Sequence, residues 1–369
     1  MTTAPPQTPQ TSQIHMVDLF AGPGGLDVAA HWLGLAVDGV EWDADACQTR
    51  EAAGFRTRQG DVRESSAADF PDATILAGGP PCQTYTLTGN GDGRRALELV
   101  KAFAKRMATG EDVSAGLANL GDDYRTGLVL QPLKWALHAA ELGHPYNTIV
   151  LEQVPGVLPV WETIEEALGG LGLGYRTVSG VLHTEDYGVP QTRRRAILIA
   201  RRDGEAKLPK PTHHRFRLGA PRPADGNGRK TWVTMGEALG RKDEFKVVSN
   251  YSTGGNTERR GRRTSDQPSF TITGKWTRNR LVTPDAKERD LGRFTEGEAG
   301  RLQTFPMDFP WDGKARAQQI GNAIPPRLAA HVLAAALGWE LDEAALDAAV
   351  DSPWETTKGS SPLKPAPAE

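Results

Sequence analysis

Ile14-His15-Met16-Val17-Asp18-Leu19-Phe20-Ala21-Gly22-Pro23-Gly24-Gly25 is an apolar run broken by a glycine-rich turn, and Leu26 to Leu33 follows with a helical pattern. Strand, turn and helix in that order form one βα unit, and the glycines let a ligand approach both the backbone and the unpaired N–H groups of the helix start. The spacing is not that of the dinucleotide fingerprint. A second strand, Leu35 to Val40, ends in Glu41-Trp42-Asp43. A third unit ends at Gly60-Asp61-Val62, and a fourth strand, Ala73 to Ala77, runs into Gly78-Gly79-Pro80-Pro81-Cys82-Gln83. This rhythm predicts an α/β fold with a doubly wound, mostly parallel sheet and a cleft along the carboxyl ends of its strands.

Several side chains fall at those strand ends. Glu41 lies about 20 residues past the first glycine turn, where a carboxylate can accept hydrogen bonds from two ribose hydroxyls. Trp42 beside it offers a face for a purine ring. Cys82 follows a turn stiffened by two prolines, a setting that suits a nucleophilic thiolate better than a structural thiol. Glu152 ends another apolar strand, Asn147 to Leu151, and is placed for general-acid or hydrogen-bonding work. Gln191-Thr192-Arg193-Arg194-Arg195 precedes the strand Ala196 to Ala200. Alternation turns Arg193 and Arg195 to one face and Arg194 to the other. Thr84 to Arg95 is polar and glycine-rich, either a loop that closes over a substrate or an ordinary surface connection. Ala96 to Leu120 reads as a charged helical insertion, and Arg125 to Leu142 as an amphipathic helix.

From about Leu208 to Asp290 the βα rhythm lapses. Arg259, Arg260, Arg262, Arg263, Lys275, Arg278 and Arg280 cluster there around Trp276, a basic and aromatic pattern suited to a phosphate backbone. The overall formal charge of -3 does not oppose this, because a local patch can make the contacts. Thr295 and Glu298 form a capping-box pattern, and Gly321-Asn322-Ala323-Ile324-Pro325-Pro326 makes a turn before the apolar helix Leu328 to Leu337. With two cysteines, no zinc-type spacing and no long apolar segment, the expectation is a cytoplasmic protein without a membrane span. The tails 1–13 and 351–369 are expected to be disordered.

Taken in order, Asp18-Leu-Phe-Ala-Gly-Pro-Gly-Gly25, Glu41-Trp42, Asp61, Gly79-Pro-Pro-Cys-Gln83, Glu152-Gln-Val154, Gln191-Thr-Arg-Arg-Arg195, Arg301-Leu-Gln-Thr-Phe-Pro306 and Gly321-Asn-Ala-Ile-Pro-Pro326 resemble the motifs of the DNA cytosine-5 methyltransferases. The resemblance spans about Asp18 to Pro326. It implies a catalytic domain of S-adenosylmethionine-dependent methyltransferase type over 14–210, completed by 285–345, and a loop-rich target-recognition domain over 211–284. The final helix is implied to pack back on the first units.

The resemblance further implies double-stranded DNA as partner and a monomer, with Cys82 attacking carbon 6 of a flipped cytosine. Glu152 would act at ring nitrogen N3, Arg195 would hold the base carbonyl, and Arg193 would support the site near the thiolate. For S-adenosyl-L-methionine it places Phe20, Gly22, Gly24 and Gly25 against the methionine part, Glu41 on the ribose, and Trp42 and Asp61 at the adenine. Pro80, Asn322 and Ile324 would complete that site, and Gln83 would touch DNA. Gln153 stands where the family carries asparagine, which leaves the bracing of the cysteine loop open. A tRNA cytosine methyltransferase and a catalytically silent DNA-binding homologue are the alternatives.

Overall fold

The computed structural model describes residues 14–81, 91–118, 124–249, 260–358, 363 and 366–367. Strand β1 (His15–Leu19), helix α1 (Gly25–Trp32), β2 (Ala36–Glu41), α2 (Ala44–Ala53), β3 (Thr57–Gln59) and β4 (Ile75–Gly78) follow the anticipated rhythm. Asp43 starts α2 by accepting from Ala46 N at 2.9 Å, and Gly54, at φ 80°, ends it in the left-handed region. Next come α3 (Gly91–Ala108), α4 (Ser114–Ala118), α5 (Gln131–Glu141), β5 (Thr148–Gln153), α6 (Leu158–Gly170), β6 (Arg176–His183) and β7 (Arg194–Arg201).

These strands make one seven-stranded sheet in the order β3-β2-β1-β4-β5-β7-β6. Pairing is parallel from β3 through β5, while β7 runs antiparallel to both β5 and β6. Period-two alternation divides the strands between two cores. Val17, Leu19, Leu76, Ile149 and Leu151 face α3, α5 and α6. Met16, Ile75, Ala77, Val150 and Ile199 face α1 and the later helix over Pro326–Leu337.

Beyond β7 lie α7 (Met235–Leu239) and the short strands β8 (Lys246–Val248), β9 (Arg262–Thr264), β10 (Arg280–Val282) and β11 (Asp290–Gly292). They form a separate antiparallel sheet, β11-β10-β8-β9, which runs past residue 284 to Gly292. Its core is shared with α8 (Glu296–Leu302) and α9 (Arg316–Asn322): Phe245, Val247, Trp276 and Leu281 pack with Leu302 and Ile320. The capping box of Thr295 and Glu298 is present at the start of α8. Helix α10 (Pro326–Leu337) packs on α1, closing the chain back on its first unit.

Three expectations need correction. The amphipathic helix anticipated over Arg125–Leu142 is a 3-10 segment, Tyr124–Leu130, followed by α5, whose first turn holds Pro132. The polar stretch Thr84–Arg95 lies outside the described residues up to Asn90, and from Gly91 its backbone is already helix α3. The segment after 351 is anchored. Beyond β12 (Trp339–Glu340) and α11 (Glu343–Asp351), helix α12 (Trp354–Thr357) buries Trp354 to 1 % exposure. The Trp354 ring lies 5.3 Å from Phe55, 5.4 Å from His31 and 5.5 Å from Phe309, and its Nε1 donates to Ala53 O. Leu363 N donates to Trp32 O, and β13 (Ala366–Pro367) pairs with β12. Burial of this large aromatic side chain, together with backbone hydrogen bonds to Trp32 and β12, offsets the cost of ordering a polar, proline-rich segment.

Candidate active site

A cavity of about 450 Å³ opens at the carboxyl ends of β1, β2, β4 and β5. The turn after β1 forms its floor, with Phe20 at φ 59°, Gly22 at φ 54° and Gly24 at φ 101°. Gly25 lets this turn meet the chain's far end, since a methyl group there would lie 2.3 Å from Ile324 O. Phe20, Gly22 and Gly25 line the cavity with Asn322 and Ile324, whereas Gly24 is turned toward Phe55.

Glu41 is buried and bridges two backbone donors: its Oε2 accepts from Gly22 N and its Oε1 from Asp43 N, both at 2.7 Å. Burial raises its carboxyl above the usual range. Each oxygen keeps a second lone pair for a ligand hydroxyl. Trp42, 59 % exposed, stands at the rim. Asp61 also lines the cavity, but Arg63 donates to it through Nε at 3.0 Å and Nη2 at 2.5 Å. That hydrogen bonding holds its carboxyl below the usual range.

Asp18 lines the floor although its side chain was not singled out in the sequence. It is buried, with no N–H or hydroxyl donor on either carboxyl oxygen and the Asp27 carboxyl within hydrogen-bonding reach. Burial, and then repulsion from Asp27, raises its carboxyl well above the usual range. Asp27 is itself held by Arg50, which donates to both its oxygens at 2.9 and 2.7 Å. An acid inside an apolar strand was the available signal. Leu128 and Gln318 also reach the cavity, with no motif to mark them.

At the opposite wall, β5 and β7 bring Glu152 and Arg195 together, with Arg195 Nε 2.6 Å from Glu152 Oε1. Both line the cavity, beside Gly79 and Pro81. Gln153, the next residue, donates from Nε2 to Pro80 O at 2.5 Å, and its Oε1 accepts from Val154 N at 2.5 Å. Pro80 thus acts through its carbonyl and does not line the cavity. Cys82, Gln83 and Arg259 lie outside the described residues.

Arg193 does not join this wall. It is 2 % exposed and donates to the carbonyls of Ile272, Gly321 and Ala323 at 2.8 to 3.1 Å. Alternation predicted one face for Arg193 and Arg195, but Arg193 lies just before β7, where the chain enters the junction with the small sheet, and the two have different partners. The basic cluster divides likewise. Arg263 is sandwiched 4.7 Å from both Phe216 and Phe270 and donates to Pro268 O and Ser269 O, so it is a structural residue. Arg262 pairs with Glu288 at 2.7 Å. Lys275 and Arg278 are exposed, and Arg260 and Arg280 are half-buried.

A mostly parallel seven-stranded sheet, with a buried carboxylate and an open indole in a cavity at its carboxyl edge, is the fold of an S-adenosylmethionine-dependent methyltransferase. The family model described as C-5 cytosine-specific DNA methylase matches residues 14–102 and 147–337, and the chain belongs to that family. Its activity is DNA cytosine-5 methylation, with S-adenosyl-L-methionine as methyl donor.

The chain is similar to type II methyltransferase M1.HphI of Haemophilus parahaemolyticus, 27% identical over 89% of this chain and 87% of the relative. It is also similar to type II methyltransferase M.BsuRI of Bacillus subtilis, 26% identical over 90% and 81%. Among solved structures, S. pombe Dnmt2 methyltransferase superposes with a TM-score of 0.58 at 16% identity, covering 88% of this chain and 98% of that one. Entamoeba histolytica methyltransferase EhMeth gives a TM-score of 0.58 at 14% identity, with the same coverage. Both share the fold. No described helix is long and apolar enough to cross a membrane.

The cavity fits the methyl donor. The Glu41 carboxylate keeps lone pairs that suit a sugar hydroxyl, Trp42 presents an exposed ring face of the kind that suits a purine, and the Asp18 carboxyl lies at the glycine turn.

Proposed function

We propose that this enzyme methylates a cytosine flipped out of double-stranded DNA, within one short sequence, through a covalent bond to Cys82. The observation that supports this most is the Glu152–Arg195 pair, 2.6 Å apart on the same cavity wall as the turn that leads into Cys82.

Carbon 5 of cytosine is a weak nucleophile, and adding a thiolate to carbon 6 turns it into an enamine carbon able to accept a methyl group. Bound S-adenosyl-L-methionine supplies that methyl group in activated form. Arg195 holds the base carbonyl oxygen while Glu152 shares a proton with ring nitrogen N3, stabilising the charge that attack creates. A base then removes the carbon 5 proton and the thiolate leaves. A stacked base cannot reach these groups, so the reaction requires flipping. Gln153 fixes the carbonyl of Pro80 and with it the approach of the chain to Cys82. Phe20, the glycine turn, Glu41, Trp42, Asp61, Asn322 and Ile324 hold the donor.

Lys275 and Arg278, two exposed cations beside the buried Trp276 of the recognition segment, are assigned to phosphate contacts. The relatives named as type II methyltransferases support a place in a restriction-modification system. Expression in a methylation-deficient host followed by bisulfite sequencing is expected to show protected cytosines in one short motif, and none with Cys82→Ala. Methylation of purified tRNA but not plasmid by the same preparation would overturn the proposal.

A further inference from the structure

Three segments meet at Arg193. Its guanidinium donates from Nη1 to Ile272 O at 2.8 Å and to Gly321 O at 3.0 Å, and from Nη2 to Gly321 O at 3.0 Å, Asn322 O at 3.5 Å and Ala323 O at 3.1 Å. Ile272 lies three residues before Lys275. Asn322 and Ala323 line the cofactor cavity. The two segments also touch directly, because Gly321 has no side chain and a methyl group there would stand 2.1 Å from Gly274 N. Gln191 reinforces the junction: its Oε1 accepts from Ile272 N at 3.0 Å, and its Nε2 donates to Gln303 Oε1, whose side chain in turn donates to Ile320 O.

A main-chain carbonyl cannot be re-aimed by rotating a side chain. A planar guanidinium holding several carbonyls in fixed directions therefore makes the segments that carry them move together. A ligand that orders 321–324 orders Arg193, and Arg193 orders Ile272 and the turn that presents Lys275 and Arg278. Taking the cofactor and DNA assignments above as its basis, we infer that Arg193 is a positioning residue that couples cofactor occupancy to DNA engagement. Linkage makes the effect reciprocal, so DNA tightens the cofactor by the factor that the cofactor tightens DNA.

The test measures duplex affinity with and without saturating S-adenosylhomocysteine, using an oligonucleotide that carries the motif found by bisulfite sequencing. Wild type is expected to bind the duplex about tenfold more tightly with the cofactor product present, within the usual range of such couplings. In Arg193→Gln the ratio falls below about twofold, and in Arg193→Lys, which keeps the charge but not the fork, it is intermediate. General destabilisation would lower both affinities and leave the ratio unchanged. Hydrogen exchange on the wild-type protein covers the case in which Arg193→Gln does not fold. S-adenosylhomocysteine alone is then expected to protect amides in 272–280 as well as in 318–324, and protection confined to 318–324 overturns the inference. A wild type that methylates DNA but shows no coupling, or an Arg193→Gln variant that keeps the wild-type ratio, also overturns it. A wild type that methylates no DNA overturns the underlying assignment instead.

Discussion

Gln153 Nε2 donates to Pro80 O at 2.5 Å, tying the end of β5 to the turn that leads into Cys82. The same side chain accepts from Val154 N, so both ends of the amide are used and its orientation is set. The longer side chain of Gln153 thus reaches the carbonyl of Pro80 from the end of β5. Gln153→Ala frees the carbonyl and should lower kcat about fivefold, the equivalent of roughly 1 kcal/mol for one such bond. Its affinity for the methyl donor should stay within about twofold, since the bond fixes the nucleophile's approach. Single-turnover transfer of a tritiated methyl group would measure this, and unchanged kcat in Gln153→Ala would count against the brace.

The recognition segment holds basic residues of two kinds. Lys275→Ala and Arg278→Ala should each reduce the slope of log affinity against log salt by about 1 without loss of stability. Arg263→Ala should instead destabilise the small sheet, because it empties the space between Phe216 and Phe270 and removes the donor to Pro268 O. Fluorescence anisotropy over a salt series, with thermal melts alongside, separates the two. An Arg263→Ala protein as stable as wild type would contradict the assignment.

Asp18 should make stability depend on pH. Its carboxyl is raised well above the ordinary 3.8 by burial, so the folded state keeps a proton that the unfolded chain gives up. That contribution is complete below the unfolded value and is lost as pH rises through the folded value. Asp18→Asn removes it. Urea titrations from pH 4 upward should show wild-type stability falling relative to Asp18→Asn, and parallel curves would refute a raised Asp18. S-adenosylhomocysteine binding should also weaken in the variant, which lacks the carboxyl at the glycine turn.

Trp354 seals the end of the molecule against α1 and α2. Trp354→Ala should cost about 3 to 5 kcal/mol, the usual range for deleting a fully buried large aromatic. Chemical denaturation would read it directly. A loss under 1 kcal/mol would mean that the segment after 351 contributes nothing to the fold.

The amino-acid sequence alone determined the βα rhythm, the strand ends and the chemistry placed on them. Apolar runs broken by Gly22 to Gly25, Glu41, Gly78 to Pro81 and Glu152 are local signals, and period-two alternation assigns a face to each strand residue without knowledge of its partners. That was enough to place Glu41, Trp42, Glu152 and Arg195 around one cleft.

Tertiary structure alone decided which charges pair and what the cleft's far wall is made of. Arg193 and Arg195 share a motif, yet one holds carbonyls and the other pairs with Glu152, because β7 starts between them and the segments around Ile272 and Gly321 pack on the earlier residue. Arg262, Arg263 and Lys275 look alike in sequence and differ in whether an acid, two rings or solvent lies nearby. The burial of Trp354 and the contact of Gly25 with Ile324 likewise depend on residues some 300 positions away along the chain. Spacing records what a residue can do locally, whereas its partner is set by which surfaces the folded chain brings within hydrogen-bond reach.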